Sequence, residues 1–187
     1  MAVDTSQFRN GLKIELDGEP FTMVYFQHVK PGKGGAFVRT KVKNLKNGRV
    51  LEKTFRSGEK VDEADIEDKR MQYLYRDGEQ LIFIDQETYD QLPFSVEQVG
   101  DSVKYLMENL DVDVMFWRGK PINIELPSFI EAEVSQTDPG VKGDTASGAT
   151  KPATIESGAV VQVPLFIKEG EKIRVDTRSG EYVERVN

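Results

Sequence analysis

The sequence predicts an all-β protein built from several small barrels or sandwiches. Three observations carry that expectation: short β-favouring runs recur along 187 residues, glycine-centred turn signals separate them, and only one stretch has helical periodicity. Residues 12–16 and 21–27 flank a turn at Asp17-Gly18. Residues 36–42 alternate apolar and polar, and residues 50–56 return after Lys46-Asn47-Gly48-Arg49. Asn-Gly tolerates the two positive φ values of a type I′ turn, so a hairpin of that type is expected there. Asp77-Gly78 predicts a second of the same kind between residues 71–76 and 80–85. A third joins residues 111–117 to 122–126 across Arg118-Gly119-Lys120-Pro121. The last strands are 160–167, 172–176 and 182–186, with a turn at Ser179-Gly180. The one helix is expected near residues 99–108, where Val99, Val103, Leu106 and Met107 share a face.

The strand spacing divides the chain into three units of about sixty residues, with boundaries at composition shifts: 1–64, 65–127 and 128–187. Units that small bury only about 60% of their unfolded surface and are marginal singly. Mutual packing is therefore expected. Residues 138–154 are rich in Gly, Ser, Thr, Ala and Pro, and predict a long loop inside the third unit.

Composition excludes several chemistries. There is no cysteine, hence no disulfide, thiolate nucleophile or thiolate metal site. One histidine, His28, leaves no second imidazole for a metal site, and no serine sits in a nucleophile-elbow setting to use it as a base. A structural or surface histidine is the better reading. No apolar run approaches a membrane span, and the first residues lack the pattern of a signal peptide. A cytoplasmic protein with no membrane partner is expected. Asp62, Asp65, Asp68, Asp111 and Asp113 read as a solvated acidic face, and Tyr73, Tyr75, Phe116 and Trp117 as packing residues.

Net charge is −7, which taken whole argues against a nucleic-acid partner. Taken by region it does not. Residues 1–64 carry +4, residues 65–128 carry −8 and residues 129–187 carry −3. Within the first block, residues 28–60 hold ten Lys/Arg against Glu52 and Glu59. So local an excess creates a field that a polyanion can use.

Inside that window lies Lys30-Pro31-Gly32-Lys33-Gly34-Gly35, between two strands. Glycine permits a tight, slim loop, and Pro31 stiffens its entry. The loop would present the Lys33 ammonium at its tip, with Lys30, Arg39, Lys41, Lys43, Lys46 and Arg49 around it to grip phosphates. It is not a phosphate-binding nucleotide loop, because Gly34 rather than Ser or Thr follows Lys33 and a strand follows the loop.

From these residues outward the chain resembles the bacterial elongation factor P family. The likeness runs from Gly11-Leu12-Lys13 and Asp17-Gly18-Glu19-Pro20 through the Lys33 loop to Glu52-Lys53-Thr54-Phe55 and Tyr73-Leu74-Tyr75. It continues through Asp138-Pro139-Gly140, Lys142-Gly143-Asp144-Thr145, Lys151-Pro152-Ala153-Thr154 and Val163-Pro164-Leu165-Phe166 to Val175-Asp176-Thr177-Arg178, Tyr182 and Arg185. The resemblance implies three small β-barrel domains, one SH3-like or KOW-like and two OB folds, in an L-shaped arrangement like a transfer RNA. It implies a monomeric, non-enzymatic factor without cofactor or metal. Such a factor binds the ribosome between the P and E sites and stimulates peptide-bond formation at consecutive prolines. By the same resemblance Lys33, on its loop of Pro31, Gly32, Gly34 and Gly35, is modified by dedicated enzymes and reaches toward the CCA end of peptidyl-tRNA. Other contacts would be with rRNA and mRNA: Gly143, Asp144 and Thr145 match the segment that approaches the exit-site codon, and Tyr182 and Arg185 match C-terminal family positions. Both the Lys tip and the Gly-Asp-Thr loop separate the chain from a related paralogue. The competing reading is a general OB-fold module for single-stranded nucleic acid, against which the −8 middle block stands.

Overall fold

In a computed structural model, residues 1–140 and 148–187 are described. Sixteen strands among them form three sheets. The first contains β1 (Ala2–Asp4), β2 (Lys13–Leu16), β3 (Glu19–Val29), β4 (Phe37–Asn44), β5 (Val50–Arg56) and β6 (Lys60–Glu63), in the order β1-β6-β2-β3-β4-β5. The second contains β7 (Ile66–Asp77), β8 (Gln80–Asp85), β9 (Gln91–Ser95), β10 (Asp111–Trp117) and β11 (Lys120–Glu125), ordered β11-β10-β7-β8-β9. The third contains β12 (Phe129–Thr137), β13 (Thr150–Ile155), β14 (Val160–Pro164), β15 (Lys172–Asp176) and β16 (Tyr182–Val186), ordered β14-β13-β12-β15-β16. By packing, the chain divides into two compact units, Met1–Lys69 with Val114–Asn123, and Arg70–Asp113 with Ile124–Asn187.

Period-two burial explains the strands. Along β4, Val38, Thr40, Val42 and Asn44 are buried while Arg39, Lys41 and Lys43 face out. The buried set joins Ile14, Met23 and Phe55, and Phe8 meets Phe55 edge-on at 5.2 Å. In β12, Ile130, Ala132 and Val134 alternate inward and pack with Ile155, Val161 and Ile173.

The structure changes several sequence-based expectations. Type I′ geometry sits at Asp17-Gly18 (φ 52° and 76°) and at Arg118-Gly119 (φ 51° and 76°), not at Asn47-Gly48. There only Gly48 has a positive φ, because Asn44 takes over the loop: its side-chain oxygen accepts from Lys46 N at 2.8 Å and Asn47 N at 3.3 Å. At Asp77-Gly78 only Gly78 is positive. The helix near 99–108 is a single α turn, Val96–Val99 (α1), followed by a 3₁₀ stretch over Gly100–Tyr105. Gly100, at φ 70°, ends the α turn. The loop expected to reach residue 154 ends earlier, because β13 begins at Thr150. The strand expected to reach residue 167 ends at Pro164. Of the four aromatic packing residues, Phe116 and Tyr73 are buried and Trp117 half-buried, but Tyr75 is 52% exposed.

No helix among the described residues is long and apolar enough to cross a membrane.

Candidate functional site

The Lys33 loop spans residues 30–36, between β3 and β4, where Val29 pairs with Phe37. Lys33, Gly34 and Gly35 are exposed, and Gly34 holds φ 98°. A Cβ placed on Gly32, Gly34 or Gly35 would meet nothing within 4 Å. The glycines therefore serve backbone conformation and slimness rather than packing. Among the described residues Lys33 makes no hydrogen bond or ion pair, so its ammonium is presented to whatever approaches.

The basic residues do not all gather around that tip. Arg39, Lys41 and Lys43 stand in a row on the outer face of β4. Opposite Arg39 and Lys41 in register are Gln27 and Tyr25 of β3 on one side, and Thr54 and Glu52 of β5 on the other. These six side chains frame a shallow groove of about 390 Å³. The Lys41 ammonium lies 5.7 Å from the Tyr25 ring centroid, and the Tyr25 hydroxyl donates to Gln27 at 3.1 Å. A bulge between Met23 and Tyr25 turns Tyr25 outward, a placement that no sequence signal announces. Lys30 is exposed at the tip end of the sheet, but Lys46 and Arg49 lie beyond the other end of β4, an eight-residue strand spanning roughly 25 Å. Lys46 stacks on Trp117 at 4.9 Å. The result is a stripe with one isolated cation at its head.

Trp117 and Arg118 belong to a second constellation that the sequence did not announce. Glu15 of β2 accepts from Trp117 Nε1 at 3.1 Å and from Arg118 Nε and Nη2 at 3.1 and 2.6 Å. The Arg118 guanidinium beside Glu15 holds its carboxyl below the usual carboxylate range, and the indole N–H adds to that. This joins the turn at Arg118-Gly119 to the first sheet, both within the compact unit that contains Val114–Asn123.

His28 is exposed, edge-on to Phe26 at 5.9 Å. Among the described residues no three or more His, Asp or Glu side chains converge as a metal site would require. Tyr182 packs half-buried against the third sheet's core. Arg185 is exposed, with its guanidinium 5.6 Å from the Phe166 ring centroid and 3.4 Å from Glu171. Gly143, Asp144 and Thr145 lie outside the described residues.

Three family models match in succession: the elongation factor P KOW-like domain over residues 4–61, its OB domain over 66–124, and elongation factor P, C-terminal, over 130–185. The elongation factor P of Pelotomaculum thermopropionicum is 56% identical over 184 residues, covering 98% of this chain and 100% of that protein. That of Thermoanaerobacter sp. is also 56% identical, with the same coverage. The chain belongs to the elongation factor P family. It is a translation elongation factor. Among solved structures, eukaryotic translation initiation factor 5A from Methanococcus jannaschii matches with a TM-score of 0.55 at 23% identity, over 67% of this chain and 92% of that one. A factor of the same family from Naegleria fowleri matches at 0.55 and 15%, over 67% and 98%. At those identities the likeness concerns fold alone. It agrees with an all-β, multi-barrel chain whose first sheet is KOW-like and whose second is an OB fold.

Proposed function

We propose that the chain binds the ribosome between the P and E sites and holds the end of peptidyl-tRNA in the geometry that peptide transfer needs. The observation that carries this reading is Lys33: a cation without a hydrogen-bond or ion-pair partner among the described residues, on a loop whose glycines have open space around them, at the head of a basic strand face. Consecutive prolines are poor partners in peptide transfer because the ring restrains φ. A factor that fixes the orientation of the tRNA end lowers the barrier without contributing a reacting group, so the chain is not an enzyme. The Arg39, Lys41 and Lys43 face would supply phosphate contacts to tRNA or rRNA. Lysine at the tip, unlike arginine, carries an amine that can be acylated or alkylated once deprotonated. Lysine-modifying enzymes are therefore proposed partners, as is mRNA for the segment containing Gly143, Asp144 and Thr145. Three domains (1–64, 65–127 and 128–187), a monomer and a cytoplasmic location complete the reading.

The test is a translating ribosome paused at a Pro-Pro-Pro run. Protein from its native source should relieve the pause, and Lys33→Ala should abolish relief while leaving the melting temperature unchanged. An unrelieved pause with natively modified protein overturns the proposal. An intact mass with fragment mapping should show added mass on Lys33.

A further inference from the structure

Asn-Gly occurs twice in the chain, at Asn10-Gly11 and at Asn47-Gly48. The pair carries a latent reaction of its own. Glycine has no Cβ to obstruct an approach, so its backbone nitrogen can reach the carboxamide carbon of the preceding asparagine. Both asparagines are exposed, and both glycines hold a positive φ, 88° at Gly11 and 74° at Gly48. In sequence, exposure and turn the two pairs are alike. Their hydrogen bonds are not.

Gly11 N donates at 2.7 Å to the carbonyl of Met23, a β3 residue in the core of the first sheet. Freeing that nitrogen means parting the turn from a core strand. Gly48 N donates at 2.8 Å to the carbonyl of Asn44, and residues 46–49 of that loop are all exposed. Exposed loops open at far lower cost than core strands. The Asn47 carboxamide is also activated: its Oδ1 accepts from Arg49 N at 2.9 Å. A donor there stabilises the negative charge that develops on the oxygen when a nucleophile adds to the carbon. No group among the described residues donates to the Asn10 carboxamide. The restraint on Asn47 is Asn44, which is 5% exposed. Its Oδ1 accepts from Lys46 N and Asn47 N, and its Nδ2 donates to Glu19 at 2.6 Å.

We propose that Asn47 is a site of spontaneous conversion to aspartate and isoaspartate, with Asn44 setting its pace. When the loop opens, Gly48 N gives its proton to solvent base and attacks Asn47 Cγ. The N–Cγ bond forms, the Cγ–Nδ2 bond breaks, and ammonia leaves with a proton from solvent. Water then opens the cyclic imide. Addition at Cγ yields aspartate, and addition at the Asn47 backbone carbonyl carbon yields isoaspartate. Nothing is oxidised or reduced. Either product sets a carboxylate between Lys46 and Arg49 and weakens the basic face toward any polyanion. Asn10, bearing the same dipeptide, is protected.

The experiment incubates the folded full chain in oxygen-labelled water at neutral pH and maps the labelled carboxyl groups by fragment mass. Asn47 should convert roughly tenfold or more faster than Asn10, and in urea the two rates should converge. Equal rates in the folded chain overturn the proposal. So does an Asn47 that stays intact while the unfolded chain converts. Asn44→Ala should speed conversion at Asn47 and leave Asn10 slow. Asn10 thereby reports whether that variant is still folded, and the parent comparison stands without it. An unchanged Asn47 rate beside a protected Asn10 removes Asn44 from the account. Asn47→Asp should leave immobilised heparin at lower salt than the parent, and an unchanged salt would remove the effect on polyanions. Pause relief is a separate measurement, so failure here and failure of the Lys33 reading are told apart.

Discussion

Two Pro-Gly pairs sit in loops of this chain, and glycine serves opposite ends in them. At Pro31-Gly32 a Cβ would meet nothing within 4 Å. At Pro139-Gly140 it would stand 2.8 Å from the Leu165 carbonyl oxygen. The first glycine keeps a loop thin, with open space where a side chain would stand. The second lets the backbone lie against β14's exit inside its own fold. Identical dipeptides therefore carry different information: one about a loop free of its own fold, the other about internal packing.

The largest effect that follows belongs to the first loop and is functional. Lys33→Ala should remove pause relief and leave the melting temperature unchanged, because the side chain is exposed and, among the described residues, makes no hydrogen bond or ion pair. Stability lost by several kcal/mol would instead mean that the tip is packed, and the contrast between the loops would collapse.

Gly140→Ala should do the reverse. Backbone must move to admit the new methyl, which costs about 1–3 kcal/mol. Thermal unfolding should show a clear drop in melting temperature, and pause relief by the folded fraction should fall less than with Lys33→Ala. An unchanged melting temperature would show that the Leu165 contact yields freely.

This difference also marks what the sequence could reveal. Hairpins were legible wherever a two-residue loop with glycine stood between alternating runs, as at Asp17-Gly18 and Arg118-Gly119. The strongest hairpin signal, Asn47-Gly48, misidentified the turn type because Asn44, three residues earlier, controls the loop through its side chain. Strand β12 carries a weaker signal: Ile130, Ala132 and Val134 alternate with Glu131 and Glu133, but alanine and glutamate are both poor strand formers. Strands β1 and β6 are three and four residues long and exist only as partners of each other and of β2. Lys33 was legible because its neighbours are unusual in composition. Glu15, Trp117 and Arg118 were not, since residues about a hundred positions apart meet only through the fold.

That cluster supplies a charge with partners, to set against Lys33, which has none among the described residues. Glu15→Gln should cost about 1 kcal/mol, a modest figure because Arg118 is largely exposed to solvent. The pH dependence has a definite sign. The folded pKa of Glu15 is depressed, so the stabilisation is complete above its unfolded value of about 4.3 and is lost as pH falls through the folded value. Trp117 is the single tryptophan and its indole N–H donates to Glu15, so its fluorescence reports the cluster directly. Acid titration below about pH 4.3 should shift its emission in the parent protein, and the shift should vanish in Glu15→Gln. An identical titration in both would detach the indole from the carboxylate.

The smallest effects lie within the Lys33 loop itself and sharpen the comparison most. Gly34 holds φ 98°, a conformation that L side chains rarely adopt, so Gly34→Ala should cost about 1 kcal/mol although space is free. Gly32 has neither a positive φ nor a neighbour, so Gly32→Ala should leave stability within about 0.5 kcal/mol. Pause relief then isolates slimness from strain. If the loop must enter a narrow space, Gly32→Ala reduces relief in a protein whose melting temperature has not moved. Relief equal to the parent's would mean that open space around the tip persists in the bound state, and that Lys33 alone carries the demand for this loop.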